Sequence, residues 1–562
     1  MANVRVLLPL LLTVIKPAGC TAVYDYIIVG GGNAGLVAAS RLSENANVQV
    51  LAIEAGYSAL NETDLSFPEL SQGNKPQNNA DGKTRMMAAG KGIGGSTIIN
   101  GMQYIRAEDA QIDAWERAGN MGWTWDNLFP YYKKSERLIV PTKKQSEKGA
   151  LFEPLLHGFQ GPVRVGWQRQ AQQDGFFLTV KETFGKFDIP LNVDTASGKT
   201  RGVSAWPRTV TPGNEAVLDV RADSARSYYY PVQGRPNLHM MAGTTALRLL
   251  WEASKTPEDS AVANAVEVVL LNGERKVFNA TSDVIMACGA FRTPALLEHS
   301  GVGNPSILSQ NGIKTVVNIP GVGENLMDQA LTLFFFNATS PSENPLTPSY
   351  PTIADLYGPN ATAFASAIHS ALPSYAAVIA ASNNDATPAA SILRYLELQH
   401  DLLFNRAVPC AELQHGTNGP NLTAQAWSTM PFARGSVHIR SSDPLAAPSI
   451  DPRYWQLPYD MSTHVAAARY VRSLYGTAPL KELHSGEISP GGEAVPEDGG
   501  DEAWKAWIKA NYFPARHAMG TASMLPRVGD FTNGHPSSTV YAVAEYCSDL
   551  IKEDRAYMYG EP

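Results

Sequence analysis

Cysteine is scarce in this chain: four in 562 residues cannot staple a fold of this length. A disulfide scaffold is excluded, and Cys288, Cys410 and Cys547 allow at most one bridge once Cys20 is removed with a leader. Excess basic charge is missing too, with 45 Lys and Arg against 53 Asp and Glu. The resulting net charge of −8 argues against non-specific binding to nucleic acid or anionic membrane. No membrane span and no metal site are expected. The mostly apolar run Val6 to Ile15 is too short to cross a bilayer. With Arg5 before it and Ala18, Gly19, Thr21 and Ala22 after it, it reads as a secretory signal, residues 1–22, cleaved near Ala22. Sequons beginning at Asn61, Asn279, Asn337, Asn360 and Asn421 are consistent with secretion and N-glycosylation.

What is present begins at Asp25. The stretch DYIIVGGGNAGLVAASRLSENANVQVLAIEAG runs an apolar strand, Tyr26 to Val29, into Gly30, Gly32 and Gly35. A helix-forming run, Ala34 to Leu42, follows, and a second strand, Val48 to Ile53, ends on Glu54. Gly30 permits a tight turn, Gly32 lets backbone approach a pyrophosphate, and Gly35 lets helix pack on strand. The helix N-terminus offers unpaired N–H groups and a positive dipole end to phosphate. Glu54 falls 24 residues after Gly30, near the ~20-residue interval of an acid that holds a ribose hydroxyl. This is a dinucleotide-binding unit. A nicotinamide dehydrogenase fits it equally well, but leaves the later glycine-rich segments without a use.

At 562 residues the chain exceeds one ordinary core. Residues 61–83 read as loop, and Asp113 to Glu136 as packed helices carrying Trp115, Trp123, Trp125, Tyr131 and Tyr132. Asn237 to Leu250 and Ala261 to Val277 alternate as strands of a small sheet. Asp283 to Cys288 reads as a buried strand, Pro294 to His299 as a short helix, Arg434 to Arg440 as a strand, and Tyr459 to Tyr475 as a helix. Residues 359–390 shift toward Ala, Ser, Asn and Thr, and Ser489 to Asp501 reads as a loop.

Four ordered segments carry a resemblance. Lys91 to Met102 (KGIGGSTIINGM), Gly289 to Gly303 (GAFRTPALLEHSGVG), Gly321 to Gln329 (GVGENLMDQ) and Arg434 to Asp451 resemble signatures of the glucose–methanol–choline (GMC) oxidoreductases. These are FAD enzymes acting on alcohols, and the flavour is that of fungal aryl-alcohol oxidases and secreted metabolite-pathway oxidases. Gln329 stands where the family usually has histidine. The resemblance implies an α/β fold: a GMC-type FAD-binding βαβ lobe interleaved with a substrate lobe of antiparallel sheet and helices. It divides the chain into 23–330 (FAD lobe with substrate-lobe segments), 331–505 (substrate lobe) and 506–562 (return to the FAD lobe).

Alcohol oxidation needs a base for the hydroxyl proton and a cofactor for the α-hydride, because no side chain accepts hydride. By the resemblance, His517 in FPARHAMGTASMLPR is the base and His535 in NGHPSSTVYAVAE is the hydroxyl's hydrogen-bond partner. It implies cofactor contacts at Gly30, Gly32, Asn33, Ala34, Gly35, Glu54, Ala55, Asn100, Gly101, Met102, Gln103, Ala246, Ala518 and Pro536. Of these, Asn33 and Ala34 fall at the pyrophosphate, Glu54 at the ribose, residues 100–103 along the isoalloxazine, and Ala246 at adenine. No histidine occupies residues 83–104, where some relatives attach FAD, so the flavin is expected to be non-covalent. The expected partners are a small alcohol (an aryl alcohol or a fungal metabolite) and oxygen or a quinone as acceptor.

One departure matters. His517 and His535 are 18 residues apart, whereas the family's interval is more than twice as long and contains a strand of the FAD lobe's core sheet. Loss of a buried strand removes apolar contacts and leaves backbone groups unpaired. Two other readings therefore stand beside the oxidase: a flavin-free, non-catalytic family member, and a flavin-binding lyase on the same fold.

Overall fold

A computed structural model describes residues 23–58, 75–168, 175–213, 218–252, 261–524 and 535–559. The signal expected at 1–22, the sequon at Asn61 and most of the loop read at 61–83 lie outside the described residues.

Six strands build the first sheet. They are β1 (Val23–Val29), β2 (Val50–Ile53), β3 (Leu238–Met241), β4 (Thr244–Trp251), β5 (Ala263–Leu270) and β6 (Arg275–Met286). Their order is β3-β2-β1-β6-β5-β4. The first four of these are joined by parallel pairings, and β6-β5 and β5-β4 are antiparallel. Helix α1 (Asn33–Leu42) crosses from β1 to β2, as expected for a βαβ unit. Ile27, Ile28, Val50, Leu51 and Ala52 are fully buried, which is why this stretch reads as a continuous apolar run.

Two expectations give way to the observed topology. Asn237 to Leu250 is not one strand: Gly243, at φ +64, turns the chain after β3. Consequently β3 and β4 stand at opposite edges of the same large sheet rather than together in a small one. The short helix expected at Pro294 begins earlier, as α2 (Gly289–His299). Pro294 cannot donate to the Ala290 carbonyl one turn back, and the Thr521 hydroxyl donates to that oxygen instead, at 2.6 Å.

The second sheet is a long antiparallel hairpin, β7 (Ala330–Tyr350) against β8 (Ala411–Ser428). Between them run α3 (Ala361–Ser382), in the segment 359–390 that stood out in the sequence only by composition, and α4 (Ala389–His400), mostly beyond it. Helix α5 (Pro458–Tyr475) backs the hairpin, strand β9 (His484–Ser489) extends it, and β10 (Phe513–Pro514) pairs with Ala330 and Leu331. The last helix, α6 (Ser537–Tyr559), returns to pack on α1, where Arg41 and Glu545 form an ion pair at 2.7 Å. The fold is therefore α/β, with a parallel-centred sheet and a separate antiparallel sheet backed by helices.

Among the described residues one run, Ile353–Ser382, is long and apolar enough to cross a membrane, with mean hydropathy 1.3. Gly and Pro at 358–359 interrupt it, and Ile368, Leu372, Ala376 and Ile379 of α3 are buried in the core.

Two histidines, buried His157 and half-buried His438, tie segments together. His157 bridges Glu136 at 2.7 Å and Asp194 at 2.8 Å, while His438 bridges Glu298 at 2.7 Å and Glu324 at 3.0 Å. Burial opposes the charge on each ring, but the paired carboxylates outweigh it and hold both pKa values up to about 9. An unfolded histidine titrates near ~6.5, so this stabilisation is complete below that pH and is lost as pH rises through about 9. The unfolding temperature is expected to fall from pH 6.5 to pH 9. A His157→Gln, His438→Gln double variant should flatten that slope, and an unchanged slope would refute the assignment.

Candidate active site

A cavity of about 1010 Å³ opens between the two sheets. Gly30, Glu54 and Ala55 come to it from the βαβ unit, and Asn100, Gly101 and Gln103 from the second glycine-rich segment. Ala246 of β4 joins them, as do His517, Ala518, His535 and Pro536. Of the other expected positions, Gly32, Asn33, Gly35 and Met102 are not part of this wall, and Ala34 faces a separate groove beside α6.

The cradle fits a dinucleotide. Gly30 (φ +110) sits so close to Ala287 that a Cβ would lie 2.4 Å from its carbonyl oxygen, so the turn admits only glycine. Helix α1 starts at Gly32 with no side-chain cap, leaving first-turn N–H groups for an anion. Asn33 Oδ1 is buried without a hydrogen-bond partner among the described residues. Glu54 accepts from the Gly31 and Gly56 N–H groups at 2.8 Å each, which fixes its carboxylate at the cavity wall. Burial raises its pKa, and the backbone N–H groups of Gly56, Gly31 and Gly92 oppose that rise.

The two histidines meet despite the short interval between them. Their ring centroids are 4.5 Å apart at 67°. His535 Nε2 lies 2.9 Å from Glu412 Oε1, and that carboxylate also accepts from Gln414 Nε2 at 2.7 Å. The edges of Trp206 and Trp427 flank the His535 ring at centroid distances of 5.2 and 6.0 Å. His517 Nδ1 faces Gln329 Oε1 at 2.9 Å, and its backbone N–H donates to Asp328 Oδ1 at 2.8 Å. Tyr454 donates to the other oxygen of Asp328. Burial, with a smaller contribution from His535, pushes the His517 pKa well below the ordinary value and favours the neutral ring. Burial likewise lifts Asp328 to about 6. Met102, Arg516 and His535 all adopt left-handed φ, at 64°, 66° and 60°, a strain that collects at functional sites.

Sequence reasoning missed Glu412, Gln414, Trp206 and Trp427, and noted Gln329 only as a departure. The available signal was alternation: Glu412 and Gln414 share one face of β8 while Leu413 is buried on the other. Glu412 is 1% exposed, and a glutamate that deeply buried needs a partner.

Two models described as GMC oxidoreductase match residues 24–331 and 431–530. This chain belongs to the GMC oxidoreductase family. It is 35% identical over 590 aligned positions to the glucose oxidase-like protein fsoC of Humicola fuscoatra, covering 98% of this chain and 99% of that one. With glucose oxidase of Penicillium chrysogenum it is 32% identical, over 90% of this chain and 84% of the relative. A solved fungal aryl-alcohol oxidase superposes with a TM-score of 0.83 at 25% identity, covering 94% of this chain and 99% of that structure. The GMC relationship makes the chain an FAD-dependent oxidoreductase by class. The second family match stops at Asp530, short of His535 and α6. The 590 positions aligned with the Humicola relative exceed the chain's 562 residues, so that relative carries positions absent here.

Proposed function

We propose that this GMC protein is a secreted enzyme that oxidises a primary or secondary alcohol on a non-covalently held FAD. The observation that carries the reading is His517: a half-buried imidazole on the cavity wall, 4.5 Å from a second histidine that Glu412 orients. Gly30, the first turn of α1 and Glu54 would hold the dinucleotide, and Asn100 to Gln103 would lie along its ring system. FAD, when bound, supplies the acceptor for the α-hydrogen and its electron pair. His517 takes the hydroxyl proton, leaving a carbonyl. His535, whose Nε2 is engaged by Glu412, would be the hydroxyl's hydrogen-bond partner.

Leu331, Leu346 and Trp427 give the cavity an apolar wall, and Gln414 and Gln425 give it two amides. That mixture suits an aryl alcohol or a metabolite intermediate with a second polar group, with oxygen or a quinone reoxidising the flavin. Secretion draws on the leader at 1–22 and on sequon asparagines such as Asn337 and Asn360, which are exposed.

The purified protein should show flavin absorption that bleaches anaerobically with an aromatic alcohol. His517→Ala should retain the flavin yet reduce it at least ~100-fold more slowly, the scale of lost general-base catalysis. Unimpaired reduction by the variant would sink the assignment. The flavin-free reading has one observation in its favour, the half-buried β6 at Val284 to Met286 beside a groove, and a colourless protein would establish it. Bound flavin that no alcohol bleaches would point to the lyase reading.

A further inference from the structure

We propose that Gln329 is a positioning residue that fixes the tautomer of His517, keeping the proton on Nδ1 and the lone pair on Nε2. The inference rests on the reading of His517 as the base, and goes beyond it by naming what prepares the ring.

Donors and acceptors decide the orientation. Gln329 is 1% exposed, so bulk water does not satisfy its amide. One end lies 3.2 Å from the Thr429 carbonyl oxygen and the other 2.9 Å from His517 Nδ1. A carbonyl oxygen only accepts, so the amide nitrogen must face Thr429. The amide oxygen is thereby directed at His517 Nδ1, and that nitrogen must carry hydrogen to donate to it. The opposite orientation places two oxygens against each other and loses one hydrogen bond in a buried site. With Nδ1 protonated in the neutral ring, Nε2 holds the lone pair. A base that must accept a hydroxyl proton needs that form.

The backbone is held by the same pair of residues. The Gln329 carbonyl accepts from the Ala515 N–H at 2.8 Å, and Asp328 Oδ1 accepts from the His517 N–H at 2.8 Å. The ring is thus fixed at its amide, at its side-chain nitrogen and two residues upstream. A carboxylate at 329 could also accept from Nδ1, but only an amide or a protonated acid can donate to Thr429 at the same time.

The direct test is nitrogen NMR of the intact protein labelled with ¹⁵N-histidine, with the His517 signals identified by their loss in His517→Gln. The expected spectrum has a protonated Nδ1 and an unprotonated Nε2. Gln329→Met should mix the two tautomers and lower kcat by ~10–100-fold, with KM within ~3-fold and flavin content unchanged. Gln329→Glu, in its protonated form, should restore the wild-type spectrum. An Nε2-protonated ring in the wild type, or an Nδ1-protonated ring unchanged in Gln329→Met, overturns the proposal. If Gln329→Met does not fold, Gln329→Leu takes its place, with the same mixing of tautomers expected and an unchanged Nδ1-protonated ring overturning the proposal. The spectrum requires no turnover, so a protein that fails to oxidise alcohols overturns the functional reading without touching the tautomer assignment.

Discussion

Gly35→Ala is expected to give a protein that retains no flavin and unfolds at a markedly lower temperature. A Cβ at position 35 would lie 1.9 Å from the Gly30 carbonyl oxygen, with Ala287 Cβ another neighbour at 3.3 Å. The nearest obstacle is backbone, so no rotamer change relieves it. Helix α1 would have to lift off the end of β1, carrying with it the N-terminal turn proposed to hold the phosphates. Overpacking of an ordinary core side chain costs ~1–3 kcal/mol, and a helix-to-backbone collision exceeds that range. Gly32→Ala is the control. There the nearest heavy atom to a new Cβ is 3.8 Å away and φ is −88°, so folding should be unaffected and any loss confined to cofactor affinity. The ratio of flavin to protein absorbance and a thermal melt separate the two variants. A wild-type melt for Gly35→Ala would refute the close-contact reading.

That contrast also marks what the sequence made legible. The βαβ unit could be read because its determinants are local: apolar strand, glycine turn, helix and terminal acid lie within 32 residues. His517 and His535 could be read by resemblance to segments with distinctive neighbours. The environment that gives His517 its chemistry could not. Gln329 and Asp328 precede it by nearly 190 positions, and Glu412 reaches His535 from a strand 123 residues away. The first contacts exist because β10 pairs with the start of β7, the second because β8 pairs with β7 across the α3–α4 excursion, and pairings of such span leave no periodicity in either segment alone. Strand order failed for the same reason. The apolar pattern from Leu238 to Leu250 reads as one continuous alternation, and only the left-handed turn at Gly243 sends β3 and β4 to opposite edges of the sheet.

Lengthening the chain between Met524 and His535 by one β-strand should raise the unfolding temperature and the flavin content together. Strand β6 pairs with β1 along 279–286 but with β5 only along 275–279. Ala287 N donates to Val29 O, so by the alternation of a parallel ladder the N–H groups of Val284 and Met286 point away from β1. No described strand receives them. Val284, Ile285 and Met286 are accordingly only half-buried, whereas the neighbouring β1 is buried throughout Tyr26 to Val29. Beside this edge lies a groove of about 360 Å³, lined by Ile285 and Met286 and by a stripe of α6 that includes Val540, Val543, Cys547 and Ile551. Among the described residues, the open edge of β6 lies on one side of this groove and the apolar stripe of α6 on the other. Met524 and Pro536 both line the groove, so an insert between them starts and ends where it is needed. Each apolar side chain it buries contributes ~1.5–3 kcal/mol, against a backbone ordering cost of ~1–2 kcal/mol per residue. Hydrogen bonds to Val284 and Met286 tip that near-balance toward stability, by ~1 kcal/mol each. The local readout is amide exchange: insertion of about five alternating valines and threonines between glycines, roughly the usual strand length, should slow exchange at Val284 and Met286 at least ~10-fold, while the same insert with a central proline should not. Equal exchange in both variants would mean that this edge accepts no strand, and that the short His517–His535 interval is not a deficit in the sheet.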